Sequence, residues 1–246
     1  MAGGLLLVHA FPLDARMWDA QLAAFDTVGV PVVAPHLPGF GGTGSTGDTM
    51  TMASAAQRCL DELDRAGVDR AVVCGLSMGG YVTFELWRRA PERFAGLILA
   101  NTKSGPDSEE SAAGRRRLAE RLREEGNAFL AENPPPLLSE AAPEELRAHV
   151  RSLIEDQPAG SIAAAALGMA ERSDSTPDLP GIDVPALVVT SSADALIPPQ
   201  VTSPMAEQIP GAELMIIQGA GHLSNLEAPG EFNDLLEGHL RRSGIV

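Results

Sequence analysis

The sequence predicts an α/β fold, a mostly parallel sheet of about six strands with helices on both faces and one helical insertion. Three observations predict it. Apolar runs such as Leu5-Leu6-Leu7-Val8 and Val72-Val73-Cys74 are continuous, the pattern of strands buried on both faces. Those runs alternate with stretches at helical spacing, and a strand that returns to its own sheet through a helix pairs in parallel. From Thr102 to about Pro180 the rhythm stops: the segment reads as charged amphipathic helices broken by Pro134-Pro135-Pro136 and Gln157-Pro158. Residues 1–101 and 181–246 are therefore expected to form one core domain, with 102–180 a helical lid or cap inserted into it.

The chain opens in the core with the strand Gly4 to His9, and the turn His9-Ala10-Phe11-Pro12 follows. Asp14 can cap the next helix, where Met17, Trp18, Gln21, Leu22 and Phe25 recur at mostly helical spacing. Pro31-Val32-Val33-Ala34 is a second strand, leading into a loop around Pro38-Gly39-Phe40-Gly41-Gly42 that is too rich in glycine and proline for regular structure. That loop lacks the Lys-Ser/Thr pair of a phosphate-binding loop and no helix starts directly after it, which rejects nucleotide binding. Thr51 or Ser54 starts a helix running to about Ala66, with Ala55, Cys59, Leu60 and Leu63 inward.

Next comes Val72-Val73-Cys74-Gly75-Leu76-Ser77-Met78-Gly79-Gly80, an apolar strand ending in Gly-x-Ser-x-Gly and passing directly into a helix over Tyr81–Arg89. A serine at such a junction sits on a tight turn, and side chains at positions 75 and 79 would obstruct the approach of strand and helix. The plain alternative is a turn with a capping serine. Phe94 to Asn101 is the fourth strand, Val184 to Thr190 the fifth and Ala212 to Ile217 the sixth, before a last helix from Pro229 to about Arg241. Within the insertion, Arg115-Arg116-Arg117 alternates with Glu120, Glu124 and Glu125 at pairing distance along a helix, which predicts a solvated charged face. A lid lining would draw on Leu137, Leu138, Leu153, Ile154 or Met169.

Composition narrows the function. Of 246 residues 44% are hydrophobic and 21% charged, as in an ordinary globular protein, and the formal charge of −15 would repel phosphate backbones and anionic lipid heads. Nucleic acid and membrane partners are therefore not expected. Neither Cys59 nor Cys74 has metal-ligand spacing, so no metal site is expected and both read as small core residues. With no signal-like segment and no apolar run approaching ~18 residues, a cytoplasmic location is expected.

A serine hydroxyl attacks poorly unless a base removes its proton and a carboxylate holds that base in the useful tautomer. Ser77, Asp194 and His222 supply these groups in that order, each just beyond an expected strand. The chain resembles the α/β-hydrolase family, in particular its small bacterial esterase and enol-lactonase-like members, most strongly at LLLVHAFPLDARMW, GLSMGGYV and GAGHLSNLEAPGEF.

The resemblance implies Ser77 as nucleophile, His222 as general base and then acid, and Asp194 as the orienting acid. It also implies an oxyanion hole made by the amides of Phe11 and Met78. Ala10, His36 and Ser191 depart from the family's commoner glycine, aspartate and glycine. Some relatives take their acid from the strand after the nucleophile helix, where this chain has Asn101, an amide that cannot stabilise imidazolium as a carboxylate does. Asp194 could alternatively cap the turn before Pro198-Pro199. Trp18, Met78, Tyr81 and Trp87 are the candidates for lining the substrate pocket; Trp18 and Met78 have the better claims, and Trp87 is expected in the core. His9 and His36 are expected to organise loops, His149 and His239 to lie on the surface.

The expected function is hydrolysis of a small neutral carboxylic ester through an acyl-enzyme, without metal or organic cofactor. An enol-lactone is the second candidate substrate; thioester cleavage, perhydrolysis and C–C hydrolysis would use the same machinery. A ligand-binding member of the fold without turnover is the rival class.

Overall fold

The computed structural model describes residues 3–26, 28–44 and 47–246. Six strands, β1 (Gly3–Val8), β2 (Val32–Val33), β3 (Arg70–Leu76), β4 (Phe94–Ala100), β5 (Ala186–Ser191) and β6 (Glu213–Ile217), form one sheet. Its order is β2-β1-β3-β4-β5-β6 and every neighbouring pair is parallel. Leu5 lies between Val32 and Val72, and Val73 beside Leu97, so the apolar runs stack across the sheet. From Leu5 to Val8, Ala71 to Leu76, and throughout β4 and β5 the side chains are buried. The edge strands are different. β2 is half-buried and only two residues long, because Pro31 has no amide to give the ladder and contributes only its carbonyl, which accepts from the Leu5 amide.

The core helices are α1 (Asp19–Phe25), preceded by a 3₁₀ turn at Ala15–Trp18, α2 (Met52–Arg65) and α3 (Met78–Arg89). Thr51 caps α2 by accepting from the Ser54 amide, and Asp14 caps the 3₁₀ turn by accepting from the Arg16 amide. No strand occurs among 102–180, which instead hold α4 (Glu109–Glu125), α5 (Ala128–Glu132), α6 (Glu144–Glu155) and α7 (Ala159–Ala170). The short α8 (Pro199–Thr202), α9 (Pro204–Gln208) and α10 (Ser224–Glu227) precede the closing α11 (Pro229–Arg242).

The helical segment is tied to the core at defined points. A Cβ on Gly168 of α7 would lie 1.8 Å from the Met50 carbonyl oxygen, and the Met50 amide donates to Ala164 O, so α7 packs backbone to backbone on the approach to α2. After α6, Gln157 donates to Asp14 Oδ2 at 2.8 Å and accepts from the Gly41 amide, while Asp156 pairs with Arg16.

Two surface expectations change. Arg115 does not join a solvated ladder with the glutamates; it is half-buried and turned toward Asp107, whereas the pair formed along that helix is Arg121–Glu125. His239 is buried on the inner face of α11, with Nε2 donating to Pro185 O, because that face packs on the sheet. His149 is exposed.

Candidate active site

The strand order reverses between β1 and β3: from β1 the chain moves to one side of the sheet, and from β3 onward to the other. The crevice beyond the carboxyl ends of strands at such a switch is where open α/β sheets bind ligands. Ser77 follows β3 directly and His9-Ala10-Phe11 follows β1, which brings both to this crevice.

Ser77 has φ 56° and ψ −114°, a backbone conformation that L side chains rarely adopt. Its surroundings hold it there. The Ser77 amide donates to Ala100 O at 2.9 Å, and Ser77 O accepts from the Gly80 amide and from Thr102 Oγ1. The glycines allow the turn to close. A Cβ at 75 would meet Gly79 O at 2.3 Å, one at 79 would meet Val8 O at 2.1 Å, and one at 80 would meet Thr102 Oγ1 at 2.4 Å. Helix α3 therefore starts at Met78, three residues before the apolar spacing becomes visible, in a space that only glycine fits.

Asp194 and His222 come together across the loops after β5 and β6. His222 Nδ1 donates to Asp194 Oδ2 at 2.9 Å, and both side chains are fully buried. The same Oδ2 accepts from Asn101 Nδ2, while Oδ1 accepts from the Leu196 and Ile197 amides. Asp194 thus caps its own turn and holds the histidine at once. Burial alone would push its carboxyl up, but hydrogen bonds from His222, the Ile197 amide and Asn101 outweigh it and hold the group below the usual carboxylate range. The other ring nitrogen, His222 Nε2, is buried and has no hydrogen-bond partner among the described residues. No hydrogen bond joins it to Ser77 in this structure.

The histidine loop is braced by the loop between α5 and α6. Leu137 O accepts from the Leu223 amide, and Glu227 accepts from the amides of Gly221 and Ser139 and from Ser139 Oγ. Glu227 and Asn101 are positioning groups that sequence spacing did not reveal. Asn101 has φ 45° and is fully buried, and its Oδ1 accepts from Ser224 Oγ, so it links the loops after β4, β5 and β6.

On the other side of the crevice His9 donates from Nδ1 to Ala10 O and accepts at Nε2 from the Leu37 amide, fixing the turn that carries Phe11 to the loop after β2. Burial pushes its ring down to about 4, so it is neutral. His36 Nδ1 accepts from the Ala15 amide. Both histidines organise loops.

A cavity of about 430 Å³ opens on Ser77. Phe11, Tyr81, Ile197 and Val201 line it from the core, and Leu118, Leu137 and Met169 from the inserted segment. Of the residues considered for a lid lining, Leu153 and Ile154 are instead packed in the core and Leu138 faces a separate groove. Trp18 does not reach the cavity: it is fully buried, with its ring 5.8 Å from that of Phe232, because the 3₁₀ turn directs it under α11. Met78 is fully buried and Trp87 packs edge-on against Phe94. Both thiols are buried and pushed up, Cys59 to about 12. Among the described residues no group of three or more histidine, cysteine or acidic side chains could hold a metal ion, and no helix is long and apolar enough to cross a membrane.

A doubly covered parallel sheet with a strained serine at its switch point, facing a mainly apolar cavity, defines an α/β enzyme of the hydrolase class. The chain belongs to the alpha/beta hydrolase family, whose model matches residues 5–235. A solved esterase from Thermogutta terrifontis, with malate bound, is 40% identical with a TM-score of 0.93, over 99% of this chain and 92% of that one. The 3-oxoadipate enol-lactonase 2 of Acinetobacter baylyi is 26% identical over 97% of this chain and 88% of its own length. A pimeloyl-[acyl-carrier protein] methyl ester esterase of Aromatoleum aromaticum is 42% identical over a shorter stretch, 40% of this chain and 36% of that protein.

Proposed function

We propose that this protein is a serine hydrolase that cleaves a small carboxylic ester through an acyl-enzyme. The observation that carries the reading is His222, anchored at Nδ1 by Asp194 and left with a buried, unpartnered Nε2, in a crevice where the strained Ser77 opens on the cavity. Asp194 fixes the tautomer that keeps Nε2 as an acceptor, so that nitrogen takes the Ser77 proton as Oγ bonds to the ester carbonyl carbon. Hydrogen bonds in a free site commonly lengthen and close only with substrate bound, so the missing Ser77–His222 contact is compatible with this step.

The carbonyl oxygen gains negative charge in the tetrahedral intermediate, and the amides of Phe11 and Met78 are the donors assigned to it. The intermediate then expels the alcohol, which takes the proton from His222. Water, deprotonated by the same nitrogen, attacks the acyl carbon; Ser77 Oγ then leaves, taking that proton back from His222, and the acid is released. Helices α4–α7 serve as the cap that shapes the acyl pocket, and the substrate is a small molecule of the pocket's size. A lactone is the second reading, supported by the nearly full-length likeness to an enol-lactonase. Ring opening would follow the same steps, with the leaving alcohol tethered to the acyl group.

The test is a short-chain aryl ester followed for a burst of chromophore and an acyl mass on the protein. Ser77→Ala should lower kcat by roughly 10⁴- to 10⁶-fold. Hydrolysis that survives this substitution would refute the assignment.

A further inference from the structure

The pocket carries positive charge in an otherwise strongly acidic protein. The chain has 33 acidic residues against 18 lysines and arginines, and of those 18 only one is a lysine, Lys103. It lies three residues beyond β4 and lines the cavity that holds Ser77. Asp107 and Arg115 line the same cavity.

The Asp107 side chain is 1% exposed and meets three cations: Lys103 Nζ at 3.3 Å and Arg172 Nη1 at 2.9 Å, both on Oδ1, and Arg115 Nε on Oδ2. Arg172 is itself buried, stacked at 4.0 Å over the ring of Tyr81, and gives its terminal nitrogens also to Met169 O and Gly105 O. That arginine and Asp107 balance one another. Lys103 and Arg115 then stand on the cavity wall with no second carboxylate facing them among the described residues. Both keep about a quarter of their side chain exposed. Lys103 retains ammonium donors, and the Nη groups of Arg115 make no hydrogen bond among the described residues.

A purely structural clamp for one carboxylate would not need this surplus, because a half-buried cation without a counter-charge is costly. The arrangement instead matches an anion that arrives with the ligand, with Asp107 holding both cations in position. An arginine fork and an ammonium together suit a carboxylate. The rest of the wall is mainly apolar, suited to a short carbon chain between the two ends.

We propose that the substrate bears a free carboxylate in addition to its ester or lactone carbonyl, and that Lys103 and Arg115 hold it. This rests on the reading of Ser77 as nucleophile and narrows its substrate class from the small neutral ester that the sequence suggests to an anionic one.

The test uses the monomethyl esters of straight-chain dicarboxylic acids from glutaric to suberic, each against its dimethyl ester, with kcat/KM measured on the full chain. At least one half-ester should exceed its dimethyl ester about tenfold, and Lys103→Met or Arg115→Gln should each reduce that ratio about tenfold, mainly through KM. Melting curves check that the variants fold; Arg172 and the remaining cation still neutralise Asp107 in each. In parallel, binding of both esters to Ser77→Ala is measured by calorimetry. If neither ester is turned over but the half-ester binds more tightly and loses that advantage in Lys103→Met, the nucleophile reading fails and the carboxylate site stands. A half-ester favoured in neither turnover nor binding, or a preference unmoved by both substitutions, overturns the proposal.

Discussion

Asn101 donates its side-chain amide to Asp194 Oδ2 at 2.9 Å, the same oxygen that receives the proton of His222 Nδ1. One carboxylate oxygen thereby sits between an amide and an imidazole, and the amide stands just beyond β4, the strand beside the one that leads into Ser77. Asn101 cannot replace the acid, but it fixes where the acid points. A hydrogen bond to a charged group contributes about 1.5–3 kcal/mol. Asn101→Ala should therefore lower kcat on a short-chain ester by roughly tenfold or more, with a smaller effect on KM. An unchanged kcat in a folded variant would reduce Asn101 to a packing residue.

Asp194→Asn tests the acid itself. An asparagine retains the shape but offers either an oxygen without full charge or an amide that would turn the imidazole to the wrong tautomer. A loss on the order of 10⁴-fold in kcat is expected. Full activity in this variant would move the acid's role elsewhere in the chain.

Gly79→Ala tests the geometry of the turn. Its Cβ would sit 2.1 Å from Val8 O, a backbone atom of a central strand that has no room to retreat. Either α3 or β1 must shift, and overpacking of this kind costs about 1–3 kcal/mol. Because Ser77 and the Phe11 turn flank that contact, kcat should fall well beyond what the drop in melting temperature explains. Normal turnover with normal stability would contradict the close approach.

The cap can be tested through Leu118, a partly buried α4 residue on the cavity wall. Leu118→Ala should move the optimum among linear acyl esters toward longer chains, while costing less stability than the ~2–5 kcal/mol of a fully buried leucine. An equal change for every chain length would argue that α4 does not shape the acyl site.

What the sequence disclosed and what it concealed follow from the range of the interactions. Strands β1, β3, β4 and β5 could be read because their apolar runs are local and buried on both faces. Ser77, Asp194 and His222 stood out because each follows a strand, so topology alone carries them to one rim. Asn101 looked like a mere absence of acid, since its partners lie 93 and 123 residues onward. Helical spacing pairs the Arg115-Arg116-Arg117 cluster with the glutamates that follow it, because it shows only charges along the same helix. Its actual partner, Asp107, precedes the helix, and Arg172 approaches from beyond α7. Trp18 and His239 are hidden for a related reason: which face of a helix is covered depends on how α11 docks.

Two buried histidines, His9 and His239, set the acid stability. Burial pushes His9 down to about 4, with the Ala10 carbonyl opposing it only in part; burial and then Arg242 do the same to His239. In the unfolded chain both rings take up a proton near 6.5, so between that value and about 4 the unfolded state binds more protons than the folded one. Folding stability must then fall as the pH is lowered through this window, by on the order of 3 kcal/mol for each ring once the window is crossed. Asp194 acts lower. Its depressed carboxyl contributes stability that is fully present above the unfolded value of 3.8 and is lost only as pH falls through the still lower folded value. The slope between pH 6.5 and 4 therefore belongs largely to the histidines. Urea unfolding at half-unit steps should show the midpoint falling steadily from pH 6.5, and His239→Gln, whose amide can still donate to Pro185 O, should flatten the slope by close to one proton. A slope unaltered by that substitution would mean that His239 takes up its proton in the folded protein, and that its burial is relieved before the chain unfolds.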